Sequence, residues 1–249
     1  MPEVCQIPEH QDAIHQGACW KCGEVIRRAE AVAEFRKIRE DWILERLRAD
    51  GNGMQRREAT ADLTKIPRPI LEAIPNQLLD GHLNVGFGVG GNTGVGKTQA
   101  IAAAIVHALV QYSERVIVPS IRRQAEDGKP FPRVRWSSWP DEVHWLRSHA
   151  LRGAEDRVEY LAGADLLVLD DLGRERIKGD YSQDYGASHL DFIVNSRYRA
   201  ELPIIWTSNV RQADLVGLYG AAMVRRLIEP NPFTWIEGLK PFHLSQRAS

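Results

Sequence analysis

Residues 91–98 read Gly-Asn-Thr-Gly-Val-Gly-Lys-Thr: a glycine, four residues, then Gly-Lys-Thr. Glycines let a backbone curl until successive N–H groups face inward and form a nest for an anion. Such a nest needs a strand to deliver the loop and a helix to begin beneath it, so this string dictates a strand–loop–helix unit. The flanks supply both. Val85, Phe87 and Val89 alternate with small residues, which predicts a strand over 85–89. The Ala-rich run that follows predicts a helix over 98–112 with Ile101, Ile105 and Leu109 on one face. Gly91, Asn92, Thr93, Gly94, Val95, Gly96, Lys97, Thr98 and Gln99 are therefore expected to hold the phosphates of a nucleotide. Lys97 would reach the β- and γ-phosphates, and the Thr98 hydroxyl would ligate magnesium. Kinases, GTPases, helicases and loaders share this loop, so it does not say what the nucleotide is for.

Two further strings narrow the choice. Ala-Asp-Leu-Leu-Val-Leu-Asp-Asp-Leu-Gly (164–173) is an apolar run ending in paired acids, as a buried central strand would be. Carboxylates at the C-terminal edge of a parallel sheet lie where ligands bind. Asp170 is expected to hold magnesium through water, and Asp171 to orient the attacking water. The plainer alternative is a buried strand that ends in two solvated aspartates. Leu-Pro-Ile-Ile-Trp-Thr-Ser-Asn-Val (202–210) predicts another buried strand, whose Asn209 can hydrogen-bond the γ-phosphate or the lytic water. Arg225 and Arg226 follow on a short helix within 220–230. An arginine aimed at a neighbouring subunit's γ-phosphate can accelerate hydrolysis by about 10³–10⁵; the alternative for such a pair is a solvated face.

Strands at 85–89, 133–137, 165–170 and 203–207 alternate with helices at 98–112, 140–151 and 187–199, which predicts an α/β parallel sheet flanked by helices. Residues 120–132 read as a surface insertion. Upstream, 24–49 lack Gly and Pro and predict a long helix with two apolar sides, stopped at 49–53. The proline-containing stretch 66–77 reads as a connector that wraps onto the next domain, with the boundary near 75: an N-terminal module over 1–75 and a nucleotide-binding domain over 76–249.

All three cysteines lie within residues 5–22. An odd count in so short a stretch is a poor disulfide framework. Cys5, His10, His15, Cys19 and Cys22 instead offer five candidates for the four ligands zinc prefers, with loose surface thiols as the alternative. The net charge of −1 excludes a global basic field, so nucleic-acid contact needs a local patch. No run of eighteen apolar residues occurs and the first residues lack signal-peptide character, so a cytoplasmic protein without membrane spans is expected.

In order and spacing, the glycine loop, Leu166–Gly173, Asn195–Asn209 and Met223–Leu227 resemble the AAA+ ATPases of the DnaC/IstB group, the replicative-helicase loaders and transposition helpers. The resemblance covers about residues 75–240. It implies a P-loop AAA+ domain with a minimal lid, Asn209 as sensor I, and Arg226 as the arginine finger because it directly precedes Leu227. It also implies an ATPase that uses ATP and Mg2+, works as an ATP-bound homo-oligomeric arc, and binds a DnaB-type helicase and single-stranded DNA. Arg197 matches a recurrent family arginine whose role stays open. The cysteine pattern is similar to the start of many loader-like proteins and favours His10 with Cys5, Cys19 and Cys22 as zinc ligands; transposition helpers usually lack it. The sequence departs from the group at Phe242, where the sensor II arginine is expected, so that role is vacant or passes to Lys240.

Single-strand binding calls for basic and aromatic groups together. Residues 133–152 supply Arg135, Trp139, Arg147 and Arg152 as candidates, against core packing beneath a charged face. Three other functions share much of this pattern: an IstB-type transposase helper, a weakly hydrolysing nucleotide-switch adaptor, and a small-molecule kinase, which would need an acceptor site and an Arg-rich lid.

Overall fold

The computed structural model describes residues 62–112, 132–150, 153–174 and 181–239, and the backbone of 14–15 and 18–19. The chain divides into two compact units, Met1–Ile43 and Leu44–Ser249. In the first, strands β1 (Ile14–His15) and β2 (Ala18–Cys19) form a small antiparallel hairpin. The expected helix at 24–49, Cys5, His10 and Cys22 lie outside the described residues. Pro75, near the expected boundary, lies inside the second unit.

That second unit is built on a five-stranded sheet with every neighbouring pair parallel. Its strands are β3 (Phe87–Gly91), β4 (Val134–Ser138), β5 (Leu166–Leu172), β6 (Ile204–Ser208) and β7 (Phe233–Ile236), in the order β4-β5-β6-β3-β7. Parallel strands require crossovers, and helices provide them. They are α3 (Lys97–Tyr112) after β3, α4 (Trp139–Ser148) and α5 (Ala154–Ala162) after β4, and α6 (Tyr181–Arg199) after β5. Between β6 and β7 come α7 (Gln212–Tyr219) and α8 (Ala221–Ile228). Two short helices, α1 (Arg68–Leu71) and α2 (Asn76–Leu79), pack on α3 ahead of the sheet.

The expected elements are present with shifted ends. The first strand runs 87–91 rather than 85–89, and the helix expected at 187–199 begins at 181. Helix α5 and edge strand β7 were not foreseen: α5 is a short, acid-rich stretch, and β7 has only four residues, one of its flanks being Pro232. Helix α3 buries more than the one apolar face; Ala102, Ala103, Ala104 and Ala108 are covered as fully as Ile101 and Leu109. Covered by the sheet on one side and by α2 on another, it needs small side chains for close approach.

Glycines at alternate positions of β3 have the same kind of cause. Gly88 pairs in register with Trp206 on β6 and Phe233 on β7, and the two rings stack over it with centroids 4.5 Å apart. A Cβ on Gly88 would lie 2.3 Å from Trp206 Cε2. The glycines leave space that neighbouring strands fill with aromatic rings.

Candidate nucleotide-binding site

All five strands run the same way, so the loop after β3 and the ends of β5 and β6 meet at one edge of the sheet. Between them, β5 and β6 lose register: Leu169 pairs with Trp206 and Leu172 with Ser208, three steps on β5 against two on β6. This bulge contains Asp170 and Asp171, and Asp171 sits at φ 60°, a left-handed backbone rare outside glycine. Hydroxyls of β6 satisfy what the bulge leaves open. Thr207 Oγ1 accepts from the Asp171 backbone N–H at 2.8 Å and donates to Asp170 Oδ1, while Ser208 Oγ donates to the Leu172 carbonyl at 2.8 Å. Bulges of this kind re-aim side chains next to reactive sites.

The loop itself has an exposed tip, Asn92 to Gly94, anchored by Val95, which is buried. Gly91, Gly94 and Gly96 all have positive φ. A Cβ on Gly91 would lie 3.0 Å from the Ile236 carbonyl, whereas around Gly96 there is open space. That opening, beside the N-terminus of α3, is the cradle expected for phosphate.

Lys97 is buried, and its three protons go to the Gly91 carbonyl (2.8 Å), the Asn92 carbonyl (2.9 Å) and Asn209 Oδ1 (2.8 Å). Burial lowers the Lys97 pKa, and the charges of Asp171 and Asp170 oppose that shift. The Asn209 amide then donates through Nδ2 to Asp171 Oδ1 at 2.8 Å, a pairing that fixes which way the amide faces. Thr98 Oγ1 donates to Asp170 Oδ1 at 3.1 Å. Burial pushes the Asp170 carboxyl up to about 6, the hydrogen bond from Thr207 resisting. Two oxygen donors at this spacing, one a carboxylate whose charge is costly to bury, suit a hard divalent cation such as magnesium. One connected network thus joins Lys97, Thr98, Asp170, Asp171, Thr207 and Asn209. Gln99 follows at the start of α3, half-buried. Thr207 is not singled out by the sequence; its role depends on the bulge, which no spacing rule reveals.

The remaining candidates lie elsewhere. Arg226, on α8, bonds Asp191 on α6 at 3.3 Å and none of the network residues. Arg225 is exposed and forms no ion pair among the described residues. Lys240 and Arg152 lie outside the described residues, as do all the zinc candidates except for the backbone of His15 and Cys19. Among the described residues no group of His, Cys, Asp and Glu side chains is placed to hold a metal as a cluster, and no helix is long and apolar enough to cross a membrane.

Trp139 requires a correction. It is fully buried in the cluster formed by Val143, Leu146, Leu169 and Leu190, so its ring is core and cannot stack on a nucleic-acid base. Arg135 is half-buried, its guanidinium 4.4 Å from the Tyr160 ring centre, and Arg147 is half-buried on α4. Trp145 is the partly exposed tryptophan of α4, stacked on His149 with centroids 4.2 Å apart.

Arg197 is fully buried. It donates through Nη1 to the carbonyls of Ala162 (3.0 Å) and Ala164 (2.6 Å) and through Nη2 to that of Pro203 (2.6 Å). It ties the end of α5 to the entrances of β5 and β6, a structural role for the arginine left open above.

No protein-family model and no curated protein sequence matches this chain. Solved structures do. The DnaC helicase loader superposes with a TM-score of 0.51 at 21% identity, over 74% of this chain and 100% of that one. DnaI gives 0.51 at 20% identity, over 74% and 92%, and a putative primosome component from Streptococcus pyogenes serotype M3 gives 0.52 at 18% identity, over 75% and 91%. DnaA from Aquifex aeolicus bound to AMPPCP gives 0.50 at 23% identity, but the match spans only 52% of that longer chain. By these superpositions, the described domain shares its fold with the DnaC helicase loader and DnaI.

Proposed function

We propose that this chain is a cytoplasmic, ATP-dependent loader of a replicative DnaB-type helicase. One observation carries the reading: the phosphate-loop lysine, the magnesium-side carboxylate, the water-orienting carboxylate and the sensor asparagine form one hydrogen-bonded network. A site wired in this way registers the presence of a γ-phosphate at Lys97 and passes it to Asp171 through Asn209. In hydrolysis, the water oxygen forms a bond to the γ-phosphorus as the bond to the bridging oxygen breaks, giving ADP and phosphate. Asp171 orients the water. Thr98 and Asp170 would hold Mg2+, which supplies charge neutralisation on the phosphates when bound.

In this reading ATP at one subunit is completed by Arg226 of the next, which must first leave Asp191. ATP thereby holds an open arc of identical subunits on single-stranded DNA, and hydrolysis releases it. A replication initiator, DnaA, 52% of whose chain matches this fold, is solved bound to AMPPCP and single-stranded DNA, which supports the reading. Zinc at Cys5, His10, Cys19 and Cys22 in the N-terminal module, with the module as the helicase contact, completes the proposal. Its support is the ligand spacing and the hairpin that leads into Cys19; metal analysis of the purified chain should return one zinc per subunit.

The test is helicase capture. The immobilised full chain with Mg-ATP should retain a DnaB-type helicase, and the Lys97→Ala chain should retain much less. Equal, negligible retention by both, together with ATP-dependent binding of duplex DNA, would replace this proposal with the transposase helper.

A further inference from the structure

Asp171 is fully engaged in this structure, and one of its partners has no part in the network described so far. Its Oδ1 accepts from Asn209, while its Oδ2 accepts from Arg174 Nη1 at 2.8 Å. The chain turns sharply to make this contact. Arg174 N–H returns to the Asp171 carbonyl at 3.2 Å, and Gly173 sits at φ 87° with its N–H on the Tyr219 hydroxyl. A Cβ on Gly173 would lie 2.6 Å from Val210 Cγ2, so the turn admits no other residue without movement. Asp141 and Asp170 add their charges to the field that holds the guanidinium, whose pKa is raised chiefly by its hydrogen bond to Asp171.

We infer that Arg174 is a positioning residue that locks Asp171 out of hydrolysis until a phosphate anion draws the guanidinium away. The inference rests on the ATPase reading above. A carboxylate that orients water must offer it an oxygen that no cation holds, and a charge-assisted bond at Oδ2 is the obstacle. The obstacle is easily moved. The Arg174 side chain is 62% exposed, and exposed ion pairs are weak, so a competing phosphate can take the fork, for which guanidinium has high geometric affinity. Because the lock must persist in the nucleotide-bound enzyme to limit turnover, the phosphate that releases it is that of a single-stranded DNA backbone.

The experiment measures steady-state ATP hydrolysis by wild type, Arg174→Ala and Arg174→Lys, with and without oligothymidylate, with melting curves as a folding control. Arg174→Ala should raise basal turnover by about two- to fivefold with little change in KM, and Arg174→Lys should stay near wild type. Loss of oligothymidylate stimulation in Arg174→Ala, on a raised baseline, assigns the releasing phosphate to DNA; the full wild-type fold of stimulation retained in Arg174→Ala overturns DNA as the releasing group. Hydrolysis by Arg174→Ala where wild type has none supports the lock in its strongest form. Basal turnover in Arg174→Ala equal to or below wild type, including none in either, overturns it. Helicase capture is read separately, so the loader proposal can fail while the lock stands.

Discussion

Lys97 and Asn209, 112 positions apart in the chain, meet at 2.8 Å, and the same asparagine amide holds Asp171. Any phosphate that takes a proton of Lys97 competes with Asn209, so it must disturb the amide that holds Asp171. Asn209→Ala removes that link. It should lower kcat by about a hundredfold while changing nucleotide affinity only a few-fold, as loss of one preorganised polar group in a reacting site does. Steady-state kinetics with a fluorescent-nucleotide titration separates the two effects; a matching loss in affinity would assign Asn209 to binding alone.

Asp170 sets a pH dependence whose sign follows from its raised pKa. The unfolded carboxyl releases its proton near 3.8, and the folded one near 6. Between those values the native state holds a proton that the unfolded state has lost, so stability falls as pH rises through this window and is level above it. The ionised buried carboxylate costs roughly 3 kcal/mol at pH 7. Asp170→Asn should therefore melt higher than wild type at pH 7 and lose the dependence between pH 4 and 6. Magnesium should raise the Tm of wild type and leave that of Asp170→Asn unchanged.

Arg197 is a buried cation whose contacts are backbone carbonyls. Burial lowers its pKa to about 10, so it stays charged at neutral pH. Arg197→Met strands the carbonyls of Ala162 and Ala164, leaves that of Pro203 with only the long bond from Leu167 N–H, and should destabilise the domain by about 3–5 kcal/mol. Arg197→Lys should recover only part of this, because one ammonium cannot reach both strand entrances. Chemical denaturation of the three chains tests the order.

Gly88→Ala places a methyl against the Trp206 ring and should cost about 3 kcal/mol. Combining it with Trp206→Leu should cost less than the two separate losses added together, since both act on one space. Strict additivity in a denaturation cycle would mean that the close approach does not limit this position.

If Arg226 completes the neighbouring site, Lys97→Ala and Arg226→Ala chains should each be nearly inactive alone. Mixed in equal amounts they should regain about a quarter of wild-type turnover, because a head-to-tail contact then pairs an intact loop with an intact arginine one time in four. No recovery on mixing would confine Arg226 to its ion pair with Asp191.

How much was legible beforehand differs by residue. That the phosphate loop, Asp170, Asp171 and Asn209 would meet was readable because they sit at the ends of apolar runs, and parallel strands bring those ends to one edge. The fold class was readable for the same reason: buried parallel strands are apolar runs, and Leu166–Leu169 and Ile204–Trp206 leave little choice. The tertiary structure alone decided what depends on contacts between distant segments. Trp139 reads as an aromatic beside arginines, and only its burial in the core cluster that also holds Leu169 and Leu190 makes it core. Gly88 reads as one of the small residues alternating with Phe87 and Val89, and only Trp206 and Phe233 on neighbouring strands explain why it is glycine. The bulge that turns Asp171 and the Thr207 hydroxyl that sustains it require strand register, and the Arg174 contact follows from the local turn after them. Local patterns encode which way a residue can face; register and packing decide what it meets there.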